Sequence, residues 1–188
     1  NATADVKAQA LPFLRINFMF SIGMLLFFML TSALRAAGDA RTPLRLGAAE
    51  IKGISIPARE VGGDFFNYFA LPDGRLALLV GDVSGKGVSA ALLMANVQAT
   101  LRARLPHETD LARLAAELDR EIDETTPGAV YLTLFLGILD AGRQELRYVN
   151  AGHNPQFVVH AGGGFEVMAA TGLPIALYPG QPYAEKVV

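Results

Sequence analysis

Ile56-Pro-Ala-Arg-Glu-Val-Gly-Gly-Asp64-Phe-Phe66 and Gly81-Asp82-Val-Ser-Gly-Lys-Gly87 are the two stretches on which the reading of this chain turns. Each sets an aspartate where a glycine-opened backbone meets a strand. Asp64 follows Gly62-Gly63 at the start of a strand-like run, and Asp82 follows the apolar run Leu76 to Val80 and opens a glycine-rich loop. Carboxylates at strand ends, with open backbone around them, suit a hard cation that wants carboxylate, carbonyl and water oxygens. Two such groups facing each other repel in a partly buried site, and a divalent ion relieves that repulsion. Taken singly, Asp64 also reads as a turn residue, Asp82 as a cap for the helix that follows, and Lys86 as a solvated loop charge.

Other chemistries that these residues suggest fail on spacing. A Walker A loop needs four residues between its glycines and Ser or Thr after the lysine, whereas three residues separate Gly81 from Gly85 and Gly87 follows Lys86. There is no Gly-x-Ser-x-Gly elbow. His107-Glu108 lacks the second histidine of a zincin motif, and His107, His153 and His160 show no ligand spacing. The chain has no cysteine, which excludes disulfides, thiolate metal sites and a cysteine nucleophile. Net charge is −2 and the basic residues form no stripe, so no nucleic-acid partner is indicated.

The chain of 188 residues favours one domain plus an appendage. Its high hydrophobic fraction, 52%, is concentrated in part between residues 16 and 34. Ile16 to Leu34 carries no charged side chain, and a bilayer-spanning helix needs about 20 apolar residues, so a membrane helix is expected here. A signal peptide and a buried core helix are the alternatives. Arg35, Arg41 and Arg45 outnumber Lys7 and Arg15 across the segment, which favours a cytoplasmic C-terminal side. The run Ala33-Leu-Arg-Ala-Ala-Gly-Asp-Ala-Arg-Thr-Pro-Leu44, with the apolar stretch before it, resembles a helix-loop segment of multidrug-and-toxin-extrusion (MATE) transporters, over roughly residues 10 to 47. One spanning segment cannot build a transport path, so this part reads as a fragment, fusion or anchor.

Beyond it, Ile51 to Ile56 reads as a strand. Phe65 to Leu71 and Arg75 to Val80 flank Pro72-Asp-Gly74 and read as a hairpin. Ser89 to Arg104 has helical composition, with Ser89 as N-cap and Pro106 closing it. Asp110 caps a second helix, in which Leu111, Leu114, Ala115, Leu118 and Ile122 recur at helical spacing until Gly128. Tyr131 to Leu139, Glu145 to Asn150, Gln156 to His160 and Phe165 to Ala169 read as strands joined by short turns, hence antiparallel. Two amphipathic helices between strand groups imply a layered α+β domain over residues 48–188, after a hydrophobic appendage over 1–47.

The stretch Ile56 to Phe66, then Gly81-Asp-Val-Ser-Gly-Lys-Gly-Val88 with Ala90-Ala-Leu-Leu-Met-Ala95, closely resembles the SpoIIE-like branch of bacterial PPM-type serine/threonine phosphatases. Tyr131 to Asp140, Tyr148-Val-Asn-Ala-Gly-His-Asn-Pro155 and Gly172-Leu-Pro-Ile-Ala-Leu177 match later blocks in the same order, from about Glu50 to the end. The resemblance implies an αββα sandwich of antiparallel sheets flanked by helices, with a two-metal centre of Mn²⁺ or Mg²⁺ between the sheets. It implies that Asp82 is the bridging metal ligand, that Val83 offers its backbone carbonyl, and that Asp64 binds metal directly or through water. Lys86 and Arg59 are candidates for phosphate contact. His153 and Asn154 are expected to order a loop rather than to act in catalysis. The implied reaction is hydrolysis of phosphoserine or phosphothreonine on a protein, and the usual substrate class is an anti-sigma-factor antagonist.

This sequence departs from the family pattern at three points. A Thr-Asp-Gly-type block and a later Asp, both metal ligands in the family, are not found in this sequence, so the phosphatase domain is expected to be C-terminally incomplete and its two-metal centre incomplete with it. Without their strands the sheet should expose apolar surface and an open edge. Asn67 stands where the family often has Asp, and the helical linker that usually precedes the domain is not recognisable. The expected location is the inner membrane with the phosphatase domain in the cytoplasm, the alternative being the cytoplasm itself. Two rival readings are a non-catalytic phosphatase remnant that binds a partner and a membrane transporter fragment.

Overall fold

The computed structural model describes residues 44–46, 49–51, 53, 63–126 and 130–188. The expected membrane helix over 16–34, the MATE-like run up to residue 43, and Arg59 lie outside the described residues; of the strand expected over Ile51 to Ile56, Ile51 is in a strand, Gly53 is in none, and the others lie outside the described residues. No helix among the described residues is long and apolar enough to cross a membrane.

The architecture is mixed α+β. Short strands β1 (Leu44–Leu46) and β2 (Ala49–Ile51) form a two-stranded sheet. The main sheet is antiparallel, in the order β3 (Asp64–Ala70), β4 (Leu76–Val83), β5 (Leu132–Asp140), β6 (Glu145–Ala151), β9 (Lys186–Val187). Hairpin strands β7 (Gln156–Val159) and β8 (Phe165–Met168) pair with each other. Helices α1 (Val88–Arg104) and α2 (Leu111–Thr125) intervene between β4 and β5, with a 3-10 turn, Leu105–His107, at Pro106.

Strand alternation divides the sheet into two unlike faces. One carries Phe65, Phe69, Ala77, Leu79, Val83, Leu132, Leu134, Leu136, Ile138, Val149 and Ala151, packed against Val97 and Leu101 of α1 and Leu114, Leu118 and Ile122 of α2. Near-complete burial of these side chains, at about 1.5–3 kcal/mol each, supplies the bulk of the drive to fold. The apolar stripe on α2 falls where its 3.6-residue period places it, and Asp110 caps the helix by accepting from the Arg113 N–H at 2.9 Å. α1 begins differently from expectation. Gly87, at φ 82°, is its N-cap, no side chain caps it, and Ser89 lies inside the helix. The glycine supplies a positive φ that Ser would adopt only with strain.

The opposite face holds a smaller cluster of Phe135, Tyr148 and Met168, with Val80, Leu146, Val158 and Val188 against it. Phe135 and Tyr148 stack with centroids 5.7 Å apart. The β7–β8 hairpin lies on this side and turns Phe157, Val159, Phe165 and Val167 outward. Phe66, Tyr68, Leu78 and Val80 of the same sheet face are half-buried. The end of the chain is tied back to α2. Asp119, 1% exposed, accepts from Ala176 N at 2.7 Å, Gly180 N at 2.9 Å and Tyr183 OH at 2.9 Å. Its negative charge and the burial around it push the Tyr183 phenol well above the usual tyrosine range, burial being the larger cause.

Candidate metal centre

The pairing register of β3 with β4 sets Asp64 directly opposite Asp82, and that of β4 with β5 sets Asp82 opposite Thr133. Asp64, Asp82 and Thr133 therefore form one row at the end of the sheet, on the face away from the helices. Asp64 is the first residue of β3 and Asp82 lies within β4, so neither is a turn residue nor a helix cap. Both carboxylates are exposed. Partial burial, the charge of Asp64 and a hydrogen bond to Asp64 together hold the Asp82 carboxyl above the ordinary aspartate range.

Glycines make the row possible. A Cβ on Gly63 would stand 2.3 Å from the Val83 carbonyl oxygen, and one on Gly81 would meet the Phe65 ring at 2.7 Å. The Val83 N–H donates to the Gly63 carbonyl at 3.3 Å, which closes the end of the β3–β4 pair. Val83 itself buries its side chain among the helix-facing core. The loop after it is pinned to the start of β5: Ser84 N donates to Tyr131 O at 2.8 Å, and Tyr131 N donates to Ser84 Oγ at 2.9 Å. Lys86 is exposed on that loop. Asn67 falls on the helix face, where its Nδ2 donates to Gln98 Oε1 at 3.0 Å, so it does not support the carboxylates. Residues 64 and 67 are an odd number apart on one strand and necessarily point to opposite faces.

The turn after β6 adds a side chain to the row. Asn150 is fully buried. Its Oδ1 accepts from His153 N at 2.8 Å, its Nδ2 donates to Met168 O at 3.1 Å, and its backbone N–H donates to Thr171 Oγ1 at 3.0 Å. So held, the His153 ring places Nδ1 2.8 Å from Thr133 Oγ1. Burial lowers the His153 pKa, and the nearby Asp64 carboxylate works against that shift. Asn154 is exposed, and its carbonyl accepts from Gln156 Nε2 at 3.1 Å. Thr133 and Asn150 lie in the matched sequence blocks but carry no site role in the sequence reading. The signal for Thr133 was a hydroxyl in the otherwise apolar run Leu132-Thr-Leu-Phe-Leu136. Among the described residues, no three His, Cys, Asp or Glu side chains gather around a common point.

A family model described as stage II sporulation protein E (SpoIIE) matches residues 72–188, more than half of the chain. The chain belongs to the SpoIIE family. Among curated relatives of this SpoIIE-family chain, protein IcfG of Synechocystis is 30% identical over 161 residues, 71% of this chain and 25% of the relative. The phosphoserine phosphatase RsbU of Bacillus subtilis is 29% identical over 112 residues, 58% of this chain and 32% of the relative. The SpoIIE-family chain thus spans about a quarter to a third of the length of the curated relatives it matches. Among solved structures, the RsbU and RsbW domains of a Mycobacterium tuberculosis protein superpose with a TM-score of 0.58 at 31% identity, covering 71% of this chain and 37% of that one. The PP2C phosphatase domain of SpoIIE from Bacillus subtilis, at 20% identity and a TM-score of 0.58, shares the fold over 67% of this chain and 37% of its own.

Proposed function

We propose that this chain hydrolyses phosphoserine or phosphothreonine on a protein, with Asp64 and Asp82 holding Mn²⁺ or Mg²⁺. The observation that carries the reading is the register that sets Asp64 opposite Asp82 on one sheet face. The donor set fits a hard divalent cation: two carboxylates, of which Asp82 is held above the ordinary aspartate range by partial burial and by the charge of Asp64, both of which a bound cation would offset. Asp82 would serve as the ligand shared between ions, Asp64 would bind directly or through water, and the Val83 carbonyl would complete the protein's share. When bound, such ions supply an activated water and a clamp on the phosphoryl oxygens. Lys86, on the exposed loop beside Asp82, would attract the phosphoprotein, and Arg59 is a second candidate for that role. The relation to RsbU, which is named a phosphoserine phosphatase, supports the substrate class. An anti-sigma-factor antagonist is the proposed protein substrate and residues 16–34 the proposed membrane anchor; the excess of Arg35, Arg41 and Arg45 over Lys7 and Arg15 supports a cytoplasmic side for the domain.

The test is Mn²⁺-dependent phosphate release from a phosphoserine peptide, with Asp82→Asn as control. Turnover that needs Mn²⁺ and falls at least about a hundred-fold in the variant is expected, since the ions carry most of the charge stabilisation. Turnover untouched by the substitution would sink the proposal. A second reading, a phosphatase remnant that binds a phosphoprotein without cleaving it, draws on the count of only two gathered carboxylates among the described residues. Metal stoichiometry separates the two: two tight Mn²⁺ per chain for the enzyme, one or none for the remnant.

A further inference from the structure

The turn Asn150-Ala-Gly-His-Asn-Pro155 is held by its own bonds without help from the His153 ring. Asn150 Oδ1 takes the His153 backbone N–H, and Asn150 Nδ2 and N–H tie the turn to Met168 and Thr171. The ring is thus free for another partner, and it reaches Thr133, the third member of the Asp64–Asp82 row. Thr133 occupies Nδ1, and among the described residues Nε2 makes no hydrogen bond. The ring is half-buried and close enough to Asp64 to feel its charge.

We propose that His153 is a phosphate-contacting residue: Thr133 donates its hydroxyl hydrogen to Nδ1, which fixes the proton on Nε2, and Nε2–H donates to an oxygen of the phosphoryl group bound over Asp64 and Asp82. A neutral imidazole with one nitrogen accepting necessarily donates from the other, so a Thr133 hydroxyl that donates to Nδ1 leaves the ring proton on Nε2. A donor aimed at an anionic oxygen suits a phosphoryl group, and Thr133 cannot itself supply it while its hydrogen is committed to the ring. This assigns His153 a role beyond ordering its loop, and it rests on the metal-dependent reading of Asp64 and Asp82.

The test uses the full chain with Mn²⁺ and inorganic phosphate as probes, by calorimetry, and needs no turnover. His153→Asn keeps a polar atom near Nδ1 and removes Nε2, whereas His153→Gln restores an N–H near Nε2. Mn²⁺ affinity is expected to stay within about two-fold in both. Phosphate affinity at saturating Mn²⁺ should fall roughly ten-fold in His153→Asn and largely return in His153→Gln, the scale of one hydrogen bond to a charged group. Thr133→Val leaves the ring but releases its tautomer, and a several-fold loss of phosphate affinity is expected there. That variant decides the matter if His153→Asn does not fold. Unchanged phosphate binding in the folded variants overturns the proposal, as does a loss of Mn²⁺ affinity in step with phosphate. Wild-type chain that binds Mn²⁺ but no phosphate overturns it alone. A chain that takes up no Mn²⁺ overturns the metal-dependent reading as well.

Discussion

Gly63 and Val83 pass so closely that a Cβ on Gly63 would stand 2.3 Å from the Val83 carbonyl oxygen and 3.0 Å from its Cβ. The contact is with backbone, which cannot swing aside as a long side chain can. Gly63→Ala should therefore push β3 and β4 apart at the end where Asp64 and Asp82 stand. We expect a loss of about 1–3 kcal/mol in urea unfolding and a Mn²⁺ affinity lowered by about ten-fold or more. An alanine variant with wild-type Mn²⁺ binding would show that the strands need not approach so closely.

Proton and metal compete for the carboxylate pair, which makes both stability and metal binding depend on pH. The folded-state pKa of Asp82 is raised, so the folded chain holds this proton where the unfolded chain has released it. In chelator, the pair should therefore cost stability as pH rises from the ordinary aspartate value through the raised one, and the cost should be constant above that. Mn²⁺ affinity should rise with pH over the same window, because the ion displaces the Asp82 proton. Urea unfolding against pH checks the first trend. In Asp82→Asn that component should vanish, and the metal-free variant should be at least as stable as wild type at neutral pH.

Asp119 should be among the costlier polar side chains to lose outside the carboxylate row. Three donors converge on it from residues 176, 180 and 183, and it is 1% exposed. Asp119→Ala strands those donors, and a loss of about 3 kcal/mol in chemical denaturation is expected. Tyr183→Phe removes one bond, and about 1 kcal/mol should go with it. Equal effects of the two would mean that the backbone donors find water instead.

Asn150→Ala should loosen the turn that carries His153. Its fully buried side chain accepts the His153 N–H and donates to Met168 O, and alanine answers neither. We expect about 2–4 kcal/mol of lost stability and faster hydrogen exchange at the amide of His153. Exchange unchanged at that amide would contradict the role of Asn150 as organiser of the turn.

Much of this was legible beforehand, and the limits have physical causes. The β3–β4 hairpin follows from Pro72-Asp-Gly74, with Gly74 at φ 85° and Asp73 Oδ1 accepting from Arg75 N at 3.1 Å. α2 follows from its apolar period and the Asp110 cap. Both are local signals. The start of α1 was misplaced because Ser89 has the better cap chemistry, but the backbone there needs the positive φ that Gly87 provides. Asp119 carries no local signal, because its partners lie 57 to 64 residues further along the chain. β9 is two residues long and exists only because β6 offers an edge. The resemblance implies that Asp64 and Asp82 serve one metal centre, but the third place in the row depends on the β4–β5 register, which crosses the two helices.

Strand β5 has a consequence for how this domain can change over evolutionary time. Its even-numbered residues Leu132, Leu134, Leu136 and Ile138 hold the core, while odd-numbered Thr133 and Phe135 serve the other side. Substitutions within either set can accumulate with little effect on the other. An insertion or deletion of a single codon inside the strand, however, exchanges the two sets at a stroke, sending leucines to the carboxylates and Thr133 into the core. This strand should therefore accept exchanges among apolar side chains of similar volume and no change in its length.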